Sequence, residues 1–215
     1  MKSRHAAALA LVGWYLMVPH SSLAAGASPK LSAYTNDRFG ISLQYPSDYR
    51  VLKSNEIPKY WSNDGPIDTN FVQPGGMMLV ALVPPLGLVD SAEANVLLIL
   101  SVNSRITAKE CIKFDSPPPD ETTSHSEKIG VMEFAQTDDM QGGMCHDVFY
   151  KYYHVFRNQA CYEVQMGVFA SPCLQDKNND VFGYIKYKFE TLKAILATLT
   201  IRPDPSRSVA SDSAN

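Results

Sequence analysis

Beyond the first 24 residues the chain holds three histidines, His125, His146 and His154. Shared metal binding would need a pair four residues apart on a helix, or a Cys-x-x-Cys setting, and neither occurs. His146 and His154 fall on one face of a strand, but eight residues separate them. At about 3.3 Å per residue that is roughly 26 Å, too far to share an ion. One of them could join Asp147, or the pair Asp138-Asp139, around a metal; a polar group at a strand end, or a partner for a core tyrosine hydroxyl, is the reading the spacing favours. No metal site and no cofactor is implied. There is no Gly-x-Ser-x-Gly elbow, and Gly75-Gly76 and Gly142-Gly143 stand alone rather than in a phosphate loop, so no catalytic residue is assigned. An acid or base role for His146 or His154 is the one catalytic alternative.

Aromatic residues are the clearer enrichment. Tyr150, Tyr152, Tyr153, Phe156, Tyr162, Tyr184, Tyr187 and Phe189 gather in the last third of the chain. Rings of this kind line ligand pockets or partner surfaces, and they also build ordinary cores with hydroxyls at the rim. Tyr150, Tyr152, Tyr162 and Tyr184 are the candidate binding residues.

The elements that must position these groups begin after an N-terminus with the three parts of a secretory signal. Lys2 and Arg4 precede an uncharged run from Ala6 to Val18, Pro19 breaks it, and small residues follow. Cleavage is expected after Ala24 or Ala27, and the run is too short for the roughly 20 residues of a membrane span. Removing residues 1–24 leaves 17 basic against 22 acidic residues, a net charge of −5. That balance argues against nucleic acid, and no basic cluster would hold the protein to anionic lipid. The expected product is a secreted or periplasmic monomer without a membrane span. One domain over 34–201 and a disordered tail over 202–215 complete the organisation.

Within the domain, Ser28 to Arg38 reads as a polar lead-in, and Gly40 to Tyr45 alternates as a half-buried strand ended by Pro46. Residues 54–76 have turn chemistry. Met77 to Val83 and Val96 to Val102 are apolar on both faces, so each side of their sheet must be covered. Thr107 to Phe114 reads as a short helix with a capping box through Glu110. Strands are expected at Ile129–Gln136, Cys145–Phe156 and Cys161–Ala170, the last two with even-numbered apolar faces turned to one core. Phe182, Ile185, Phe189, Leu192, Leu196 and Leu199 mark an amphipathic helix. The expected fold is α+β, an antiparallel sheet with helices on both faces in a three-layer α-β-α sandwich.

Phe39-Gly40-Ile41-Ser42-Leu43-Gln44-Tyr45-Pro46-Ser47-Asp48-Tyr49 resembles the opening strand of PsbP-like domains, in which a hydrophobic strand ends in Tyr-Pro followed by an aromatic. The later order, long paired strands and then a last helix from Phe189 to Leu199, is also similar. The resemblance implies an exported binding or assembly module and brings no catalytic residue. A partner protein or a small apolar ligand is the expected target.

Cys111, Cys145, Cys161 and Cys173 form an even set in an exported chain, so two disulfides are expected. If the even faces of the two long strands share a core, a three-residue loop Asn158-Gln159-Ala160 joins them and sets Cys145 opposite Cys173. Cys161 then lies beside the turn, beyond the roughly 7 Å that a disulfide allows to either. The predicted pairs are Cys145 with Cys173 and Cys111 with Cys161.

Overall fold

Val96–Asn103 is buried along its whole length and is an interior strand of the larger of two sheets. The structure is a computed structural model that describes residues 30–53, 56, 69–85, 96–115, 125–143, 146–170 and 180–203. The expected signal, the tail from Asp204, Cys145 and Cys173 lie outside the described residues.

The elements in chain order are β1 (Leu31–Asn36), β2 (Ile41–Pro46), β3 (Arg50–Leu52), β4 (Met77–Val83), β5 (Val96–Asn103), α1 (Ala108–Cys111), β6 (His125–Ile129), β7 (Met132–Gly143), β8 (His146–Arg157), β9 (Ala160–Ala170), α2 (Val181–Leu196) and β10 (Thr200–Ile201). Seven strands pair in the order β3-β4-β5-β9-β8-β7-β6, and three more in the order β1-β2-β10. Every pairing is antiparallel.

One face of the large sheet carries a continuous core. Leu98, Leu100, Tyr153, Val155, Tyr162, Val164 and Met166 meet Ile41, Leu43 and Tyr45 of the small sheet and Ile185, Phe189, Leu192, Ile195 and Leu196 of α2. The helix forms because its apolar residues recur on one side and because Asp180 caps it, its carboxylate accepting from Gly183 N at 2.8 Å. A β-carbon at Gly183 would stand 2.2 Å from Asp180 Oδ2, so a larger residue there would turn the capping carboxylate from its present rotamer. Phe182, counted in the sequence stripe, is 68% exposed.

The other face has a different cover, which overturns the three-layer sandwich. Of the two helices, α1 is a single four-residue turn, and the described cover on that face is completed by loop side chains, Phe71, Ile106 and Phe114. The fold is predominantly β, two antiparallel sheets with one long helix. The inference that both faces of β5 need covering holds. Burial is indifferent to the secondary structure of what supplies it, so a second sheet and loop aromatics serve where helices were expected.

Two smaller corrections follow. Ser28 to Arg38, read as a polar lead-in, contains β1, an edge strand whose residues alternate exposed and half-buried. The strand expected at Ile129–Gln136 is instead a hairpin of β6 and β7 turned at Gly130-Val131. Gly130 has φ +59°, as the first position of a type II′ turn demands.

The register correction bears on the site. The β8–β9 turn has two residues, Asn158 and Gln159, both at positive φ (49° and 56°), the signature of a type I′ hairpin. Arg157 therefore pairs with Ala160, one residue away from the three-residue loop expected, and even positions of β8 lie opposite odd positions of β9. A one-residue slip exchanges the faces. Tyr153 and Val155 join the continuous core, and His154 faces Glu163.

Candidate functional site

His154 and Glu163 meet by direct cross-strand pairing, and the ring Nε2 lies 2.7 Å from Glu163 Oε2. Their side chains are 0% and 1% exposed. His154 Nδ1 donates to the carbonyl of Cys111 at 2.8 Å, and Asn70 N donates to Glu163 Oε2 at 2.8 Å. Phe114 and Phe71 stack against the imidazole, with centroids 4.2 and 5.3 Å away. Cys111 is in turn joined to Cys161 by a disulfide with a Cα–Cα distance of 5.5 Å.

Hydrogen-bond accounting gives the state of the pair. A carbonyl only accepts, so Nδ1 carries a proton, and the contact between Nε2 and the carboxylate needs one more proton between them. The pair is imidazolium with carboxylate, or imidazole with carboxylic acid. Both have zero net charge. Both ring nitrogens are then committed to protein groups, and neither is left to exchange a proton with a substrate. His154 also borders an open cleft of about 450 Å³ with Ile112, Glu133, Ala135 and Phe156, but its buried side chain offers that cleft no free nitrogen.

This arrangement ties the cover to the sheet. Asn70 and Cys111 belong to two separate segments, themselves joined by Asp115 N donating to Asn70 O at 3.1 Å. One polar pair and one disulfide hold both segments. Local sequence explains the helical part: Thr107 and Glu110 close the expected capping box, which starts α1 and aims Cys111 at Cys161.

The structure distributes the other candidates. Tyr150 and Tyr152 stack on each other at 5.9 Å beneath Phe114, on the face that also holds His154. Tyr162 lies in the continuous core on the opposite face, its hydroxyl donating to Phe39 O at 3.3 Å. Tyr184 packs at the edge of that core, with Lys188 Nζ 5.1 Å above its ring. The four tyrosines thus divide between the two faces. His146 begins β8, and His125 lies exposed on the edge strand β6. Asp138 pairs with Lys151 Nζ at 2.7 Å. Among the described residues, no group of three or more His, Cys, Asp or Glu side chains could hold a metal ion.

A second depression, of about 490 Å³, lies where β7 and β8 approach α2. Met140, Phe149, Ile185 and Phe189 give it apolar walls, and Asp138, Asp139, Lys151 and Tyr150 complete it. Met140 is 63% exposed. Burial, with Asp139 adding, pushes the Tyr150 hydroxyl up to about 12. Because the neutral form is favoured in the fold, the stabilisation is complete below the ordinary value of 10.0 and is lost as pH rises through about 12. Phenolate absorbance should show Tyr150→Phe removing a late-titrating group while leaving the alkaline fall in stability shallower. Titration of that group near 10.0 in the folded protein would contradict its burial.

Glu163, Asn70 and the Cys111 carbonyl escaped sequence reasoning. The signal for Glu163 was the Asn158-Gln159 turn: a two-residue loop places it opposite His154 without further information.

The arrangement defines an antiparallel β protein whose buried polar pair fastens the cover of one sheet face and whose apolar groove opens beside its long helix. No protein-family profile and no curated protein matches the chain. Solved structures similar to it include a protein from Bacteroides thetaiotaomicron VPI-5482, at 14% identity and a TM-score of 0.43, covering 77% of this chain. This chain spans 46% of that protein's length. They include LpqN, described as involved in cell envelope biogenesis of Mycobacterium tuberculosis, at 16% identity and a TM-score of 0.43, covering 81% of this chain and 91% of LpqN. Cyanobacterial PsbP from Synechocystis sp. PCC 6803 is also similar, at 10% identity and a TM-score of 0.36, covering 86% of this chain and all of that one.

Proposed function

We propose that this is an exported, non-catalytic binding or assembly module that takes a partner protein or a small apolar ligand in the groove between α2 and the β7–β8 strands. The observation that carries the non-catalytic reading is the commitment of both His154 nitrogens inside the protein. That leaves His154, one of the two histidines on which a catalytic reading would rest, no free nitrogen for acid or base work. The groove supports binding because exposed Met140 borders an apolar floor of Phe149, Ile185 and Phe189. Export is supported by the disulfide between Cys111 and Cys161, a bond characteristic of oxidising compartments, together with the signal-like N-terminus. Among the described residues, no helix is long and apolar enough to cross a membrane.

The reading is tested by affinity capture from the native envelope fraction, followed by identification of bound proteins and small molecules. Met140→Asp places a charge against the apolar floor and should weaken a captured partner at least about tenfold, near 1.4 kcal/mol, without unfolding an exposed position. Unchanged capture by that variant would place binding elsewhere.

A further inference from the structure

Strand β7 is longer than its outer neighbour. It pairs with β8 over 135–143 but with β6 only over 132–136, so among the described residues 137–143 have no strand on their outer side. The tight turn at Gly130-Val131 fixes which backbone groups face that opening. It joins Ile129 to Met132, and the pair that closes a two-residue hairpin exchanges both N–H···O bonds. Even-numbered β7 residues therefore turn N–H and C=O toward the β6 side, and odd-numbered ones toward β8. Asp138, Met140 and Gly142 continue the even set past the end of β6. The Met140 N–H agrees, since it donates to Asp139 Oδ1 at 2.7 Å, a bond open to a group turned away from β8. This free edge adjoins the apolar groove. Even-numbered β7 side chains share the face of Met132 and Phe134, which pack into the core with α2, and Met140 borders the groove beside Phe149, Ile185 and Phe189.

The geometry points to strand addition: the occupant of the groove is an extended segment of a partner protein that pairs with 137–143 and lays alternate apolar side chains on the groove floor. This deepens the groove reading and rests on it. A partner residue opposite Met140 exchanges backbone bonds with it and shares its face, so a single alternation delivers both the ladder and the apolar contact. The edge is roughly 23 Å long, more than a small ligand spans and enough for pairs at Asp138, Met140 and Gly142. Charge sets the sequence of the segment. Two carboxylates, Asp138 and Asp139, stand against one ammonium, Lys151, around the groove, so a basic residue opposite Asp138 suits it and an acidic one does not. A second copy of this chain fits poorly, because its own edge would bring the same two carboxylates to the ladder.

The test titrates the oxidised mature protein with the peptide acetyl-Thr-Val-Thr-Leu-Thr-Lys-Thr-amide, followed by backbone amide NMR. In the free protein the amides of Asp138 and Gly142 should exchange with solvent ahead of those of Asp139 and Gln141, which bond to β8. Saturable shifts over 137–143 are expected on titration. Methylating the leucine nitrogen, which donates to the edge, should weaken binding at least about tenfold, whereas methylating a neighbouring threonine nitrogen, on the far side of the added strand, should change it little. Glutamate in place of the lysine should weaken it about threefold. Equal affinity of the two N-methyl peptides, with loss of both in Met140→Asp, would overturn strand addition while leaving the groove reading in place. The absence of saturable binding, slow exchange of Asp138 and Gly142 in the free protein, or dimerisation through this edge would equally overturn the proposal.

Discussion

Replacing Glu163 by Leu is expected to cost about 3–5 kcal/mol of folding stability, as is replacing His154 by Leu, because each leaves one member of a buried, hydrogen-bonded pair alone. Removing Glu163 strands a ring nitrogen and the Asn70 amide; removing His154 strands a carboxylate and the Cys111 carbonyl. The double replacement should cost clearly less than the sum, since an apolar pair of similar volume leaves no uncompensated charge between Phe71 and Phe114. Denaturant unfolding of the four proteins measures the coupling. Additive losses, or single losses under about 1 kcal/mol, would show that the two side chains do not act as a pair.

Removing the Cys111–Cys161 disulfide is the other large effect. The bond closes a loop with a sequence separation of 50, for which the chain-entropy relation gives about 4 kcal/mol. Here the loss extends to the site, because Cys111 also supplies the carbonyl that holds His154. The Cys111→Ala/Cys161→Ala protein should therefore lose about 4 kcal/mol, and the amides of α1 should exchange ahead of those of β8 and β9. Unfolding at equilibrium and hydrogen exchange check the two parts. A loss below about 1 kcal/mol, with α1 protected as before, would mean that Thr107, Glu110 and the aromatic contacts hold the helix unaided.

The sequence was legible wherever a local pattern met a local cause. The Thr107–Glu110 capping box and the Ile185–Phe189–Leu192 stripe specify α1 and α2 by nearest-neighbour physics, and both helices are present. Unbroken apolar runs at β4 and β5 located two interior strands of the large sheet. The failures are of another kind. What covers a sheet face is decided by packing between distant segments, so a second sheet and two loop phenylalanines could not be told from helices. The β8–β9 register turned on one residue in a tight turn. Asn158 suits a positive φ, Gln159 is not a residue one expects there, and reading Ala160 as loop exchanged the faces of a twelve-residue strand. The bridge between Cys111 and Cys161 was expected from that shifted register, yet it forms, because Cys161 sits beside the turn and on the α1 side in the true one. The partner pair Cys145 and Cys173 rested on the same sum and loses that support. Of the site, His154 was visible as a residue and Glu163 was not, since their meeting is a property of pairing rather than of either strand.

The most direct test of the central claim sets His154→Gln beside Met140→Asp in the capture experiment, below the melting temperature of each variant. If His154 is a positioning residue for the cover and binding occurs at the α2 groove, His154→Gln lowers the unfolding midpoint yet retains the captured partner. Met140→Asp then keeps the midpoint and loses the partner. Retention by Met140→Asp together with loss by a folded His154→Gln would contradict the account and return the buried pair to the centre of function.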